Sequence, residues 1–216
     1  MADAERDPVE VADDSPGDSL GDAPGHVLRP RTVPLGGLRA MTVRRTLPSR
    51  ERSLIGPWCL IDHFGPDDVA ASGGMQVPGH PHTGLQTLTW LFSGEVEHRD
   101  TTGAVALASP GTMTLMTAGV GVAHSEFSTP STSVLRGIQL WIALPKAYRF
   151  TQRAFEVCTP DSVAFDCAQV RVLLGRLGRH SSPARCFSSL VAAEVLLPPG
   201  RSVTCPHGSR SRLGSG

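Results

Sequence analysis

The sequence predicts an all-β protein, a barrel or sandwich built from short strands. Two observations lead there. From Arg31 onward the chain runs in short segments of alternating polarity, broken at close intervals by 20 Gly and 14 Pro. No long stretch shows the 3.6-residue apolar period of an amphipathic helix.

The elements follow in chain order. Residues 1–30 carry eight acidic side chains and almost no large apolar ones, too little burial to offset the entropy of ordering, and are expected to form a disordered acidic tail. The clearest strand is Leu85 to Phe92, rich in β-branched, aromatic and aliphatic types and closed by Ser93-Gly94. Glu95 to Arg99, Val105 to Ala108 and Thr112 to Thr117 follow across turns at Thr101-Thr102-Gly103 and Ser109-Pro110-Gly111, and the four together predict a meander. Ala118 to Ala123 reads as a glycine-punctuated link, and Val134 to Leu144 as a further apolar strand. A first barrel spanning 31–150 is expected to end near Pro145 to Phe150. Gln169 to Gly175 and Ser189 to Gly200 predict strands of a second β-unit over 151–207, and the Gly/Ser/Arg-rich 208–216 a disordered tail.

Composition narrows the function classes. Twenty basic residues balance twenty acidic ones, so no overall field draws the chain to nucleic acid or to an anionic membrane. The five cysteines, Cys59, Cys158, Cys167, Cys186 and Cys205, form no C-x-x-C pair, and an odd count argues against a disulfide framework. The acidic start lacks the basic and apolar regions of a secretory signal, and no apolar run approaches the roughly 20 residues that cross a bilayer. A soluble, cytoplasmic protein is the expectation.

His80-Pro81-His82 places two imidazoles at i and i+2, and alternation along an extended chain sends both to one side. His124-Ser125-Glu126 does the same with an imidazole and a carboxylate. Three nitrogens and one oxygen suit Fe, Mn, Co, Ni, Cu or Zn better than Ca or Mg. His80, His82, His124 and Glu126 are therefore the expected ligands of one mononuclear transition metal. If no bulge follows His82, Gln86, Leu88, Trp90 and Phe92 share the histidines' side and make an apolar barrel interior. His98 and Asp100 read as solvent-facing residues at a strand end, and His26, His180 and His207 as incidental. Asp62-His63-Phe64-Gly65-Pro66 invites a catalytic reading through its Asp-His pair, with Gly65-Pro66 forming a turn.

Three blocks carry a family resemblance: Gly56-Pro57-Trp58-Cys59-Leu60-Ile61-Asp62-His63-Phe64-Gly65-Pro66, Pro78-Gly79-His80-Pro81-His82-Thr83-Gly84-Leu85-Gln86-Thr87, and Met116 to Glu126 with its closing His124-Ser125-Glu126. In order and spacing the chain resembles the pirin family of the cupin superfamily, from about Arg31 to about Pro206. The resemblance implies two facing jelly-roll cupin barrels, with a metal, iron in the first place, in the N-terminal one; by donor chemistry Ni, Cu, Mn, Co or Zn would accept the same ligand set. His80 and His82 match the family's H-P-H pair, and His124 and Glu126 its H-x-E. For Asp62-His63-Phe64-Gly65-Pro66 the resemblance implies a structural role.

Two departures stand out. Gln86 occupies a position where the general cupin pattern has Glu, which is expected to alter hydrogen bonding around the metal. The likeness also fades after Pro206, so the N-terminal cupin is expected complete and the C-terminal one incomplete, with an exposed sheet edge. The resemblance implies a metal-dependent dioxygenase cleaving a flavonol such as quercetin with O₂, Glu126 doubling as the catalytic base. The alternative is a non-catalytic, iron-responsive binding protein acting on a transcription factor or metabolic enzyme. A third expectation is a product that folds its first barrel and does nothing further.

Overall fold

The computed structural model of the chain describes residues 27–35 and 41–204. Most of the expected tail at 1–30, and all of that at 208–216, lies outside those residues, as do His26, His207 and Cys205.

Fifteen strands occur among the described residues: β1 (Arg31–Pro34), β2 (Thr42–Leu47), β3 (Trp58–Asp68), β4 (Gln76–His82), β5 (Leu85–Ser93), β6 (Val96–Asp100), β7 (Val105–Ala108), β8 (Met113–Thr117), β9 (Val122–Ser128), β10 (Val134–Ala143), β11 (Ala154–Cys158), β12 (Val163–Phe165), β13 (Ala168–Leu177), β14 (His180–Ser181) and β15 (Val191–Leu196). The helical content is one turn at Val69–Ser72 and a 3-10 turn at Lys146–Tyr148. The all-β expectation holds, and the short helix is consistent with the missing helical period.

The strands form three sheets. A seven-stranded sheet runs β1-β2-β3-β10-β5-β8-β11, and a four-stranded sheet runs β4-β9-β6-β7. One apolar cluster joins them, taking Val43 and Phe64 from the larger sheet and Val77, Val96 and Ala108 from the smaller. The two sheets thus face one another as the two layers of a β-sandwich. A third sheet, with β12, β14 and β15 all pairing with β13, covers the outer side of the larger one. There Leu88, Trp90, Met113, Leu115 and Ile142 pack on Leu173, Leu174 and Ala192.

Three local expectations need correction. The run from β5 to β8 is not a meander: β5 pairs with β8 and β10, while β6 and β7 form a hairpin in the other sheet. The chain changes sheet at Gly94 (φ 79°) and Gly111 (φ 85°), left-handed positions that glycine adopts without a Cβ penalty. Sequence proximity indicated pairing, but the turns carry the chain across the sandwich instead.

Gly65-Pro66 likewise lies inside β3 rather than in a turn. Against β10, Phe64 pairs with Gly137 and Asp67 with Leu135, so two residues of β3 oppose Arg136 alone, a β-bulge. A Cβ on Gly65 would stand 2.1 Å from the Leu135 carbonyl oxygen, which explains glycine at that close approach.

The third correction concerns β5. Its odd positions face the histidines, since Thr89 reaches Glu126 and Leu91 joins the inner cluster, whereas Leu88 and Trp90 pack under the third sheet. The alternation is broken at Gly84 (φ 65°), which turns the chain from β4 in one sheet to β5 in the other. With apolar partners on both sides, β5 reads as a nearly continuous buried strand.

Candidate metal centre

Three adjacent strands, β4, β9 and β6, form the floor of the site. Register places His80 opposite His124 and His124 opposite Asp100, while Glu126 stands opposite His98. An irregularity between Val77 and His80 brings the H-x-H pair level with His124. Each strand contributes residues at i and i+2, so one face of the sheet carries His80 and His82, His124 and Glu126, and His98 and Asp100.

The imidazoles converge tightly. His124 Nε2 lies 3.1 Å from both His80 Nε2 and His82 Nε2. His80 Nδ1 is 2.9 Å from the Pro78 carbonyl oxygen, to which only an N–H can donate, so a neutral His80 turns a bare Nε2 toward the other two rings. His82 and His124 are almost fully buried. Burial, followed by the neighbouring imidazoles, pushes His82 down to about 4 and His124 down to about 2. Both are neutral near pH 7 and able to offer lone pairs.

Glu126 is buried beside this group, forming a second ligand-like trio with His98 and His124. Its Oε2 accepts from Gln139 Nε2 at 2.7 Å, and its Oε1 more weakly from Thr89 Oγ1 at 3.4 Å. Both donors come from the opposite sheet. Among the described residues no Lys or Arg forms an ion pair with Glu126. A buried carboxylate beside neutral imidazoles whose lone pairs converge is a donor set short of positive charge, and a divalent transition metal fits it.

The structure brings together all four residues singled out from the sequence: His80, His82 and His124 as one trio, and Glu126 adjoining through His124. It also corrects the reading of His98 and Asp100. His98 is buried, stacks on Phe155 at 4.2 Å between ring centroids, and lies 3.3 Å from His124, Nδ1 to Nδ1. Asp100 has its carboxylate fully covered and 3.0 Å from His98 Nε2. The i, i+2 argument used for the other two pairs applies equally to His98-Arg99-Asp100. What concealed it was the assumption that β6 pairs with β5 at a solvent-facing hairpin.

Gln86 takes no part in the cluster. Its Nε2 donates to Thr117 Oγ1 on the neighbouring β8 and to the Arg185 carbonyl in the segment between β14 and β15. The expectation that it alters hydrogen bonding around the metal is not met, because Gly84 reverses the parity of β5. Asp62 and His63 also lie apart, Asp62 buried in a two-toothed pair with Arg45 at 2.8 and 2.7 Å and His63 2.8 Å from Arg44. His180 begins the short β14, away from the cluster. The 760 Å³ cleft lined by Trp90, Arg136, Arg171 and Glu194 opens on the outer side of β5, away from the histidines.

The chain is similar to several known proteins. Residues 40–142 match the Pirin family model. A Pseudomonas aeruginosa protein provisionally named a quercetin 2,3-dioxygenase is 42% identical over 167 residues, covering 76% of this chain and 52% of its own length. A Caulobacter vibrioides pirin-like protein is 38% identical over 120 residues, 52% of this chain and 41% of its own. The crystal structure of a quercetin 2,3-dioxygenase from Acinetobacter baumannii superposes with a TM-score of 0.74 at 35% identity, covering 78% of this chain and 56% of that one. The chain spans about half the length of the curated relatives it matches.

Proposed function

The chain carries a pirin-family domain over residues 40–142, and from that premise we propose that it binds one mononuclear transition metal and uses it to cleave a flavonol with O₂. His80, His82, His124 and Glu126 would be the ligands. Iron is the first candidate, and Ni, Cu, Mn, Co and Zn share the same donor chemistry. The observation that carries the reading is the convergence of His80 and His82 on His124 Nε2, each 3.1 Å away, within a buried site that also holds a carboxylate.

A bound metal would supply Lewis acidity toward the flavonol hydroxyl. The chain's own groups do the rest. Glu126 accepts the hydroxyl proton at Oε1, the oxygen held only by the weak Thr89 contact, while Gln139 anchors Oε2. Trp141 lies edge-on to His82 at 4.7 Å between ring centroids, and its buried Nε1–H has no partner among the described residues. That N–H is a donor available to an oxygen of a bound molecule.

Two measurements test the proposal. Elemental analysis of the purified protein should find about one metal per chain, and the His80→Ala/His124→Ala double variant should contain none. Metal-loaded protein should then bleach quercetin under O₂, and Glu126→Ala should not. A metal-free wild type overturns the metal reading. A loaded protein that leaves the flavonol untouched overturns the enzyme reading and favours the binding-protein alternative.

A further inference from the structure

Behind His124, on the side away from His80 and His82, stands a chain of hydrogen bonds that the metal reading does not use. Asp100 Oδ1 accepts from three donors, Thr102 N–H, Thr102 Oγ1–H and Ala104 N–H, in the turn that follows β6. Its Oδ2 is thereby fixed 3.0 Å from His98 Nε2. His98 Nδ1 in turn lies 3.3 Å from His124 Nδ1. The three residues run in series from a rigid turn to the centre of the imidazole cluster.

With a hydrogen bond between the two facing Nδ1 atoms of His98 and His124, the proton count along this series has one solution for neutral rings. Asp100 can only accept, so His98 carries its proton on Nε2. Its Nδ1 is then a bare lone pair, able only to accept. His124 must donate from Nδ1, and its single proton is used there. His124 Nε2 is left bare, pointing at His80 and His82.

Resting on the assignment of His124 as a metal ligand, we propose that Asp100 and His98 are positioning residues that fix the His124 tautomer, so that Nε2 meets the metal as a lone pair. Neither residue belongs to the proposed ligand set of His80, His82, His124 and Glu126. They preorganise the ligand shared by both trios of the cluster, setting its ring orientation as well as its proton. Phe155, stacked on His98, holds that ring in plane.

Asp100→Asn makes the test sharp because it is isosteric. The Asn oxygen is retained by the three donors of the turn, which puts its NH₂ against His98 Nε2. His98 must then move its proton to Nδ1, His124 becomes an acceptor there, and its proton transfers to Nε2, where a metal should bind. His98→Asn is the complementary variant, since its side-chain oxygen can accept from His124 Nδ1–H without help from Asp100. His98→Phe offers no acceptor.

The measurement is long-range ¹H–¹⁵N NMR of the imidazole nitrogens in the metal-free chain, together with Co²⁺ titration followed by its absorption. His124 should be protonated at Nδ1 in the wild type and at Nε2 in Asp100→Asn. Co²⁺ binding should weaken by about 10- to 100-fold in Asp100→Asn and His98→Phe, and recover to within a few-fold of wild type in His98→Asn. A wild-type His124 protonated at Nε2, or an Asp100→Asn variant that binds Co²⁺ as wild type does, overturns the proposal. The wild-type tautomer needs no variant to fold. If the wild type binds no Co²⁺, the metal reading fails, while the NMR result still decides whether the relay exists.

Discussion

Gln139 reaches across the sandwich from β10 to donate a 2.7 Å hydrogen bond to Glu126 on β9, tying the two sheets together at the one acidic residue of the proposed ligand set. Both side chains are buried. Removing the donor leaves a carboxylate out of water with only the 3.4 Å Thr89 contact on its other oxygen.

Gln139→Leu should therefore destabilise the metal-free protein by about 1.5–3 kcal/mol, the range for a hydrogen bond to a charged group. A bound cation would supply the missing stabilisation, so the loss should shrink when metal is present. Urea unfolding with and without added metal measures both. An equal loss in the two conditions would separate Glu126 from the metal.

Asp62 tests whether the Asp62-His63-Phe64 segment is structural. Its buried carboxylate holds Arg45 through two hydrogen bonds between β3 and β2, and the pair lies outside the histidine cluster. Asp62→Ala leaves the guanidinium without its partner and should cost about 3 kcal/mol of stability. Metal content of the folded fraction should stay at the wild-type value. Loss of metal without loss of stability would reverse that assignment and make the segment part of the site.

Cys59, Cys158 and Cys186 should be chemically quiet. Burial pushes the Cys59 thiol up to about 11, against weaker opposing contributions from backbone hydrogen bonds. Cys158 and Cys186 are raised in the same direction, again chiefly by burial. At pH 8 a thiol near 11 is thiolate in roughly one molecule per thousand, so alkylation of native Cys59 should be slow and should accelerate about tenfold per pH unit. Mass spectrometry after iodoacetamide treatment at pH 8 and pH 9 reads this directly. Prompt modification of Cys59 at pH 8 would refute it.

What the sequence determined by itself was everything that depends on the two-residue period of an extended chain. That His80 and His82 share a side, and that His124 and Glu126 share a side, follows from local backbone geometry alone. The strands at Leu85–Ser93 and Val134–Ala143 were legible for the same reason, through β-rich composition bounded by glycine and proline. The resemblance to pirins rested on those same motifs, and the comparisons uphold it.

Tertiary structure decided which side of each strand is inside and which strands meet. One glycine in a left-handed conformation, Gly84, reverses the parity of β5, so Thr89 rather than Leu88 faces Glu126. The third sheet buries the outer face of β5 as well, which erases the polar alternation that could have revealed the reversal. His98 and Asp100 joined the site only because β6 pairs with β9 and not with β5. Strand partnership is a long-range property: the stretch Glu95 to Asp100 is the same whether its neighbour is solvent or His124, and only the folded sandwich places one there.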